Sequence, residues 1–182
     1  MKKLVVSGLF VFLSVVVFGQ NTTDSAPDIG DYYLKDIKEK PYDKSLLDSV
    51  DNTRIAIIPP EHFVFAKDIP GYLHPGTSAS IQVKDVDGTS WPVIDKVMTK
   101  EHFESQGVKF IDRKEVELSS GLSGVIYTLS FEAKGVEFER KMMFAGSYNY
   151  TIWLNANYPA SLKKTVLKPI MSSLLSADII ER

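Results

Sequence analysis

The sequence predicts an α+β fold, an α/β/α sandwich with a central antiparallel sheet of about six strands flanked by helices. Two features of the pattern lead to this prediction. Four strand-like stretches follow one another between residues 108 and 158, and an amphipathic, helix-like stretch lies on each side of them. The central stretches are also apolar on both alternations, whereas a sheet with one face in water alternates cleanly. Both faces of the sheet are therefore expected to be covered, and the two helices are available to cover them.

The bulk composition is that of an ordinary globular protein. The chain has 182 residues, of which 44% are apolar and 24% are charged, and this length suits one domain. It contains no cysteine. This excludes disulfides, thiol catalysis, thiolate metal ligands and a lipid-bearing N-terminal cysteine. A domain exported without disulfides must be held together by its core.

The N-terminus has the pattern of an export signal. Lys2 and Lys3 precede an uncharged apolar stretch over residues 4–18, and Val17 and Gly19 place small side chains near the expected cleavage point. The stretch is fifteen residues long, whereas a membrane-spanning helix needs about twenty. We predict a secretory signal peptide over residues 1–19. An uncleaved membrane anchor is the alternative.

Removal of the signal would make the chain mildly acidic. Two of the 21 basic residues, Lys2 and Lys3, leave with it, so 19 basic and 23 acidic residues remain and the net charge is −4. Nucleic acids and anionic membranes bind basic patches, so neither is expected as a partner. We predict an exported protein, periplasmic or secreted, that is soluble, is not a lipoprotein and has no stable membrane insertion after signal cleavage.

The mature chain divides into a leader and one folded domain. Residues 20–50 are polar near their start and interrupted by prolines, which predicts a partly disordered leader. The folded domain is predicted over residues 51–182. It opens with a short strand at residues 55–58 that a double proline closes, and a half-buried strand follows at residues 79–84.

A helix is predicted over residues 90–106. Ser90 can cap it, Pro92 lies in its first turn, and Gly107 ends it. Its predicted buried face has apolar residues three or four positions apart, namely Trp91, Ile94, Val97 and Met98.

Four strands and a second helix complete the domain. The strands are predicted over residues 108–118, 123–133, 136–146 and 149–158, and Lys134-Gly135 joins the middle pair as a hairpin. The closing helix is predicted over residues 159–175. It has Leu162, Val166, Ile170 and Leu174 on one face. Pro169 lies inside it and is expected to kink or split it.

Several stretches, in this order, carry a resemblance to a known family. They are "IAIIPPEHFVF", "IPGYLHPGTSASIQV", a helix ending in "FESQG", the hairpin "VIYTLSFEAKGVEFERKMMFAG", and "YTIWLNANYPA" leading into the closing helix. Together they cover residues 53–180, and the chain resembles a bacterial exported member of the Mog-type Ran-binding/PsbP-like superfamily. The resemblance implies a PsbP-like α/β/α sandwich domain with six or seven antiparallel strands.

The functional implications of the resemblance concern binding. Members of this superfamily act by binding proteins: one binds the Ran GTPase, and another assists the manganese–calcium centre of photosystem II as an extrinsic subunit. The family offers no shared set of catalytic residues to transfer. Ran binding does not suit an exported protein, and no residue of this sequence supports a role in a photosystem.

A repeated triplet is the first candidate for chemistry. Glu61-His62-Phe63 precedes a loop, and Glu101-His102-Phe103 lies near the end of the first predicted helix. Neither has the His-Glu-x-x-His spacing that places two imidazoles on one helical face. A shared site would require the two triplets to meet in space. We predict no metal site and interpret both phenylalanines as core or rim residues.

An arginine and a group of aromatic residues are the second candidates. Arg140 shares its alternation with apolar neighbours on a central strand, and a buried arginine needs an acidic partner. It therefore forms either a structural ion pair or a ligand contact. Trp153 either packs under a helix or lies in an exposed patch. We predict a partner or ligand surface that contains Tyr148, Tyr150, Trp153 and Arg140.

These patterns predict a non-catalytic protein. No convergent cluster of titratable residues is visible, so we assign no catalytic, cofactor-binding or metal-binding residue and expect no cofactor. The first hypothesis is an exported protein-binding or adaptor module whose partner is an unknown envelope protein. A carrier of a small apolar or lipid-like ligand, held between sheet and helix, is the alternative. A hydrolase is the third hypothesis and would require His62 or His102.

Overall fold

The structure, a computed structural model, describes residues 42–180. The predicted signal peptide and most of the predicted leader lie outside this range. The described part of the chain contains no helix long and apolar enough to cross a membrane.

The described chain folds into two antiparallel sheets and three α-helices. The strands are β1 (Asp48–Ser49), β2 (Ile55–Ile57), β3 (Val64–Ala66), β4 (Gly71–Leu73), β5 (Ser80–Asp87), β6 (Lys109–Glu117), β7 (Ser123–Ala133), β8 (Val136–Ser147), β9 (Tyr150–Pro159) and β10 (Asp178–Ile179). The helices are α1 (Trp91–Val97), α2 (Lys100–Ser105) and α3 (Lys163–Leu175). The predicted α+β class with an antiparallel sheet is confirmed.

The main sheet has seven strands in the order β3-β4-β5-β9-β8-β7-β6, one more than the predicted six or so. The four consecutive strands from β6 to β9 agree with their predicted ranges to within one residue. Lys134 and Gly135 join β7 to β8 with φ angles of 52° and 75°. Positive φ at both central residues is what a two-residue hairpin turn requires, so the predicted hairpin is confirmed.

The second sheet was absent from the sequence predictions. It contains three strands in the order β1-β2-β10, and two of them are only two residues long. Such short strands carry no periodic signal, because they form only when distant segments meet. β1 lies in the predicted leader, and the next residue, Val50, is 1% exposed in the core.

β9 shows how the two faces of the main sheet are used. Ile152, Leu154, Ala156 and Tyr158 point to one side, where they share a buried apolar cluster with α3. Trp153 points to the other side, where it packs against a second cluster to which β7, β8, α1 and α2 contribute. Helices therefore pack on opposite faces of the central strands, which explains why those strands are apolar on both alternations.

The predicted helix over residues 90–106 is two helices. Met98 leaves the helical conformation with ψ at 59°, and the Thr99 hydroxyl accepts a hydrogen bond from the His102 amide to begin α2. Ser90 is the N-cap residue of α1, but its side chain makes no capping hydrogen bond. Because α1 ends at Val97, this residue is 59% exposed rather than buried as predicted.

The closing helix is not split at Pro169. Three residues of 3₁₀-helix, 160–162, precede α3, and α3 then continues through the proline to Leu175. Proline removes the hydrogen bond to the carbonyl four residues earlier, here that of Thr165. Since Thr165 is exposed, water can satisfy this carbonyl while the buried face of the helix stays packed.

A charged hydrogen-bond network attaches α1 to the sheet. Asp95 of α1 accepts bonds from Arg113 of β6 at 2.8 Å (Nε) and 2.6 Å (Nη2), and it also accepts one from the hydroxyl of Tyr127 on β7. Hydrogen bonding by Arg113 is the main cause that lowers the pKa of Asp95. Burial raises the pKa of Tyr127, and the hydrogen bond to Asp95 and the negative charge of Asp95 raise it further.

Close contact between β7 and β8 leads to a first prediction. A Cβ atom added to Gly124 would lie 2.5 Å from the carbonyl oxygen of Phe144 and 2.6 Å from Cβ of Ala145. Gly124→Ala should therefore force the strands to shift and lower the free energy of unfolding by about 1–3 kcal/mol, as overpacked cores do. Urea denaturation measures this, with exposed Ser123→Ala as the neighbouring control. Equal stability of both variants would contradict the prediction.

The Asp95 network leads to a second prediction. A carboxylate whose pKa is lowered on folding stabilises the protein above its unfolded pKa, about 3.9, and loses this effect as the pH falls through its folded pKa. Asp95→Asn should lower the free energy of unfolding at pH 7 by about 1–3 kcal/mol. The difference in the free energy of unfolding between variant and wild type should decrease towards about pH 2. Urea denaturation at both pH values checks this, with exposed Asp68→Asn as control, and a difference of constant size would refute it.

Candidate binding surface

The helices leave one half of a sheet face uncovered. α1 packs on β7, β8 and β9, and α2 packs on β6. Neighbouring strands lie about 4.8 Å apart, so seven strands span about 29 Å, whereas two helices side by side cover about 20 Å. β3, β4 and β5 therefore have no helix above them, and the adjoining parts of β9 and β8 lie at the border of the covered half.

The uncovered half presents polar side chains in register. Residues paired across antiparallel strands point to the same face. Leu73 pairs with Ser80, Ser80 with Asn157, and Asn157 with Arg140, while Gln82 pairs with Asn155 in the adjacent row. We call this surface the open face, and its residues are Leu73, Ser80, Gln82, Asn155, Asn157 and Arg140.

Asn155 is the most buried polar residue of the open face. It is only 9% exposed, and its side-chain oxygen Oδ1 has no hydrogen-bond partner among the described residues. Buried polar atoms are nearly always hydrogen-bonded, because an unmade bond costs about 1–3 kcal/mol. Because Oδ1 is enclosed by the protein, it is an unmet acceptor within the sheet surface, and the amide nitrogen Nδ2 is the group of Asn155 that a molecule on the open face can reach.

Arg140 is a half-buried cation held in a fixed position. Its Nε donates to Oδ1 of Asn157 at 2.7 Å, and its guanidinium carbon lies 4.9 Å from the centre of the Phe131 ring. Burial lowers the pKa of Arg140. Within residues 42–180, no carboxylate forms an ion pair with Arg140, and no acidic neighbour contributes to its pKa. The acidic partner that the sequence led us to expect is thus missing, and the Nη groups remain free to donate.

The four residues predicted as a partner surface do not lie together. Tyr150 is buried on the face towards α3, where it donates to Asp85 at 2.8 Å and the Arg54 guanidinium lies 4.0 Å from its ring centre. Burial is the main cause that raises the pKa of Tyr150 to about 12. Tyr148 lies in the turn between β8 and β9 and is 86% exposed. Neither belongs to the open face.

Trp153 lies between the covered and the open halves. Its ring stacks on Phe144 at 5.7 Å, and the ammonium group of Lys84 lies 5.2 Å from the ring centre. Its indole Nε1 is buried and has no hydrogen-bond partner among the described residues. Packing beneath the helix layer is thus the main role of Trp153, and only Arg140 of the four predicted residues lies within the open face.

The two Glu-His-Phe triplets are far apart in the fold. Phe63 packs against the cluster on the α3 side of the sheet, and Phe103 is buried in the cluster on the other side. His62 has a left-handed backbone conformation with φ at 67° and an exposed side chain beside Glu61. Since the triplets lie on opposite faces, they form no shared site, and both phenylalanines are core or rim residues as predicted.

Sequence reasoning missed four polar residues of the open face, namely Ser80, Gln82, Asn155 and Asn157. Asn155 and Asn157 alternate with Leu154, Ala156 and Tyr158, so the pattern "LNANY" places both amides on the face opposite to the α3 cluster. That alternation was a usable signal. The contribution of Gln82 depends on the register between β5 and β9, which sequence alone does not supply.

Comparison with known proteins identifies the fold. No protein-family model matches the chain, and no curated protein matches it. The crystal structure of LpqN, a Mycobacterium tuberculosis protein involved in cell envelope biogenesis, is similar to this fold with a TM-score of 0.55 and 14% identity, over 70% of this chain and 83% of that chain.

The cyanobacterial PsbP protein CyanoP is a second structural neighbour. Its solution structure, from Synechocystis sp. PCC 6803, is similar with a TM-score of 0.51 and 13% identity, over 73% of this chain and 91% of that chain. At these identities the likeness concerns the fold alone. The chain thus has a PsbP-like fold, and membership in the wider Ran-binding superfamily stays a prediction.

The isolated charge of Arg140 leads to a third prediction. Asn157→Asp places a carboxylate at the position that already accepts the Nε bond. Because hydrogen bonds between charged groups are stronger than those with neutral amides, the free energy of unfolding at pH 7 should rise by about 1 kcal/mol. The arginine should lower the pKa of the new carboxylate, so the gain should disappear as the pH falls through that value. Thermal denaturation checks this, with Asn149→Asp in the exposed turn as control, and a lower stability at pH 7 would disprove it.

Proposed function

We propose that this protein is a non-catalytic module of the bacterial envelope that binds another protein through the open face. The observation that carries the proposal is the open face itself. Two short helices leave part of a rigid sheet uncovered, and this part presents polar side chains beside apolar residues such as Leu73 and Val64, which are 38% and 51% exposed. Protein-binding surfaces commonly combine apolar contacts with a few fixed polar groups.

The side chains of the open face suit recognition better than chemistry. Gln82, Asn155 and Asn157 carry neutral amides, which donate and accept hydrogen bonds but do not exchange protons near neutral pH. Arg140 remains a cation in proteins. A general acid or base needs a pKa near the working pH, and none of these four groups supplies one. This composition supports a binding role, which is why we propose no enzymatic activity and no cofactor.

The envelope setting is a proposal supported by two independent observations. The sequence begins with the pattern of an export signal. LpqN, which shares the fold, is involved in cell envelope biogenesis in its own organism. We therefore propose that this chain also belongs to the cell envelope. We further propose that it is a member of the Mog-type Ran-binding/PsbP-like superfamily, and that its helices and sheet form a layered sandwich.

A carrier role for apolar ligands has weaker support. A carrier of a small apolar ligand would need space for that ligand between the sheet and α3. Side chains fill this layer, since Tyr158 and Leu154 of β9 and Ile170 and Leu174 of α3 are all 0% exposed. A ligand would have to displace packed core residues, so we propose binding at the open face instead.

The proposed function predicts that partner capture depends on the open face. Leu73→Glu adds a charge to this surface, whereas Val97→Glu makes the same kind of change on exposed α1, where Val97 is 59% exposed. Crosslinking in living cells, followed by purification and quantitative mass spectrometry, should recover an envelope protein whose yield falls at least about tenfold with Leu73→Glu only, because charges at an interface core disfavour binding. Circular dichroism confirms that both variants fold.

A capture yield that is equal for wild type, Leu73→Glu and Val97→Glu would contradict the proposal. Equal loss in both variants would do so as well, because the effect would then be independent of the open face.

A further inference from the structure

We infer that the open face binds an extended peptide segment through an aspartate or glutamate carboxylate of the partner, with Arg140 as the residue that takes the carboxylate. The inference rests on the proposed function and gives it a ligand chemistry. It follows from three features of the open face: a cation without a counter-charge among the described residues, a side-chain N–H group without a hydrogen-bond acceptor among them, and the spacing between the two.

The first feature is the charge of Arg140. Its guanidinium is desolvated by the surrounding strands, is fixed at Nε by Asn157 and lies over the Phe131 ring. A half-buried charge without a partner is unfavourable. The two Nη groups, which make no hydrogen bond among the described residues, form the planar fork that matches a carboxylate in two parallel hydrogen bonds. An external carboxylate supplies the counter-charge that the described chain lacks.

The second feature is the side-chain amide of Asn155. Its Oδ1 is enclosed by the protein, whereas its Nδ2 makes no hydrogen bond among the described residues. An amide N–H donates to a carbonyl oxygen. A peptide supplies both acceptors, namely a side-chain carboxylate for Arg140 and a main-chain carbonyl for Asn155.

The third feature is the spacing of the two sites. Asn155 and Asn157 are two residues apart on one strand, which separates them by about 6.6–6.8 Å, and Arg140 is paired directly with Asn157. An extended peptide has the same repeat of about 6.6–6.8 Å for every two residues. A peptide that lies along β9 can therefore place a carboxylate at Arg140 and a main-chain carbonyl of a nearby residue at Asn155.

The apolar residues around these groups fit the same ligand. Phe131 and Phe138 stack on each other with ring centres 5.6 Å apart at one end of the open face, and Leu73 and Val64 lie at the other. Apolar side chains next to the acidic residue of the peptide can contact these two ends. The combination favours a peptide over a carbohydrate acid, which carries no apolar side chains.

The test is a titration of the ¹⁵N-labelled mature protein with two peptides. One is acetyl-Val-Leu-Glu-Val-Leu-amide, and the other has glutamine in place of glutamate. We expect the Arg140 Nε–H signal and the Asn155 side-chain amide signals to shift and saturate with the glutamate peptide. Affinity for the glutamine peptide should be at least about tenfold weaker, since hydrogen bonds between charged groups are lost. Arg140→Gln should abolish this preference, and exposed Lys96→Gln on α1 should preserve it.

Equal binding of the two peptides to the wild-type protein would overturn the inference, and this comparison does not depend on how any variant folds. Saturation by a galacturonic acid oligomer, with no response to the glutamate peptide, would overturn the peptide as ligand. The proposed function has a separate test. If Leu73→Glu removes partner capture but the wild-type protein binds the glutamate and glutamine peptides equally, the protein-binding function is supported and the acidic peptide is ruled out as its ligand.

Discussion

The continuous pairing of β7, β8 and β9 is the constraint on which the rest of the structure depends. These strands are 11, 12 and 10 residues long, and they run from the central strand of the seven-stranded sheet, β9, to β7, the neighbour of the edge strand β6. Each carries apolar side chains to both faces, so a shift of one residue in register would exchange the two buried clusters. Long strands with two apolar faces fix their own pairing, and all other elements attach to the surfaces they create.

The two faces of this sheet are completed in different ways. On one side, α3 and the small sheet of β1, β2 and β10 join the main strands in a single apolar cluster. On the other side, α1 and α2 are only seven and six residues long. Asp95 ties α1 to Arg113 and Tyr127 over β6 and β7, on one side of the sheet. The covering layer is therefore displaced to that side, and the opposite half of the same face stays open.

How far the sequence predicted this structure depends on the length of each element. The strands from β6 to β9 have long alternating patterns, and their ranges were predicted closely. The errors in the helices depend on single residues. Met98 divides the first predicted helix into α1 and α2, and α3 continues through Pro169 because the carbonyl of Thr165 can bond to water. β1, β4 and β10 are two or three residues long and arise from tertiary pairing. The candidate site was predicted only at Arg140, because the open face exists through register across four strands.

Arg140 shows why the site is distinguishable from the scaffold around it. Two other half-buried charges have ionic partners: Asp95 pairs with Arg113, and Lys163 lies 3.0 Å from Glu139 on the opposite face. Among the described residues no carboxylate pairs with Arg140, which is held by an amide and a ring, and apolar residues would pack at such a position at lower cost. Departures from the rules that stabilise a fold tend to lie at functional sites. The unpaired arginine and the unused acceptor of Asn155 are two such departures, side by side on the one part of the sheet that the helices leave open.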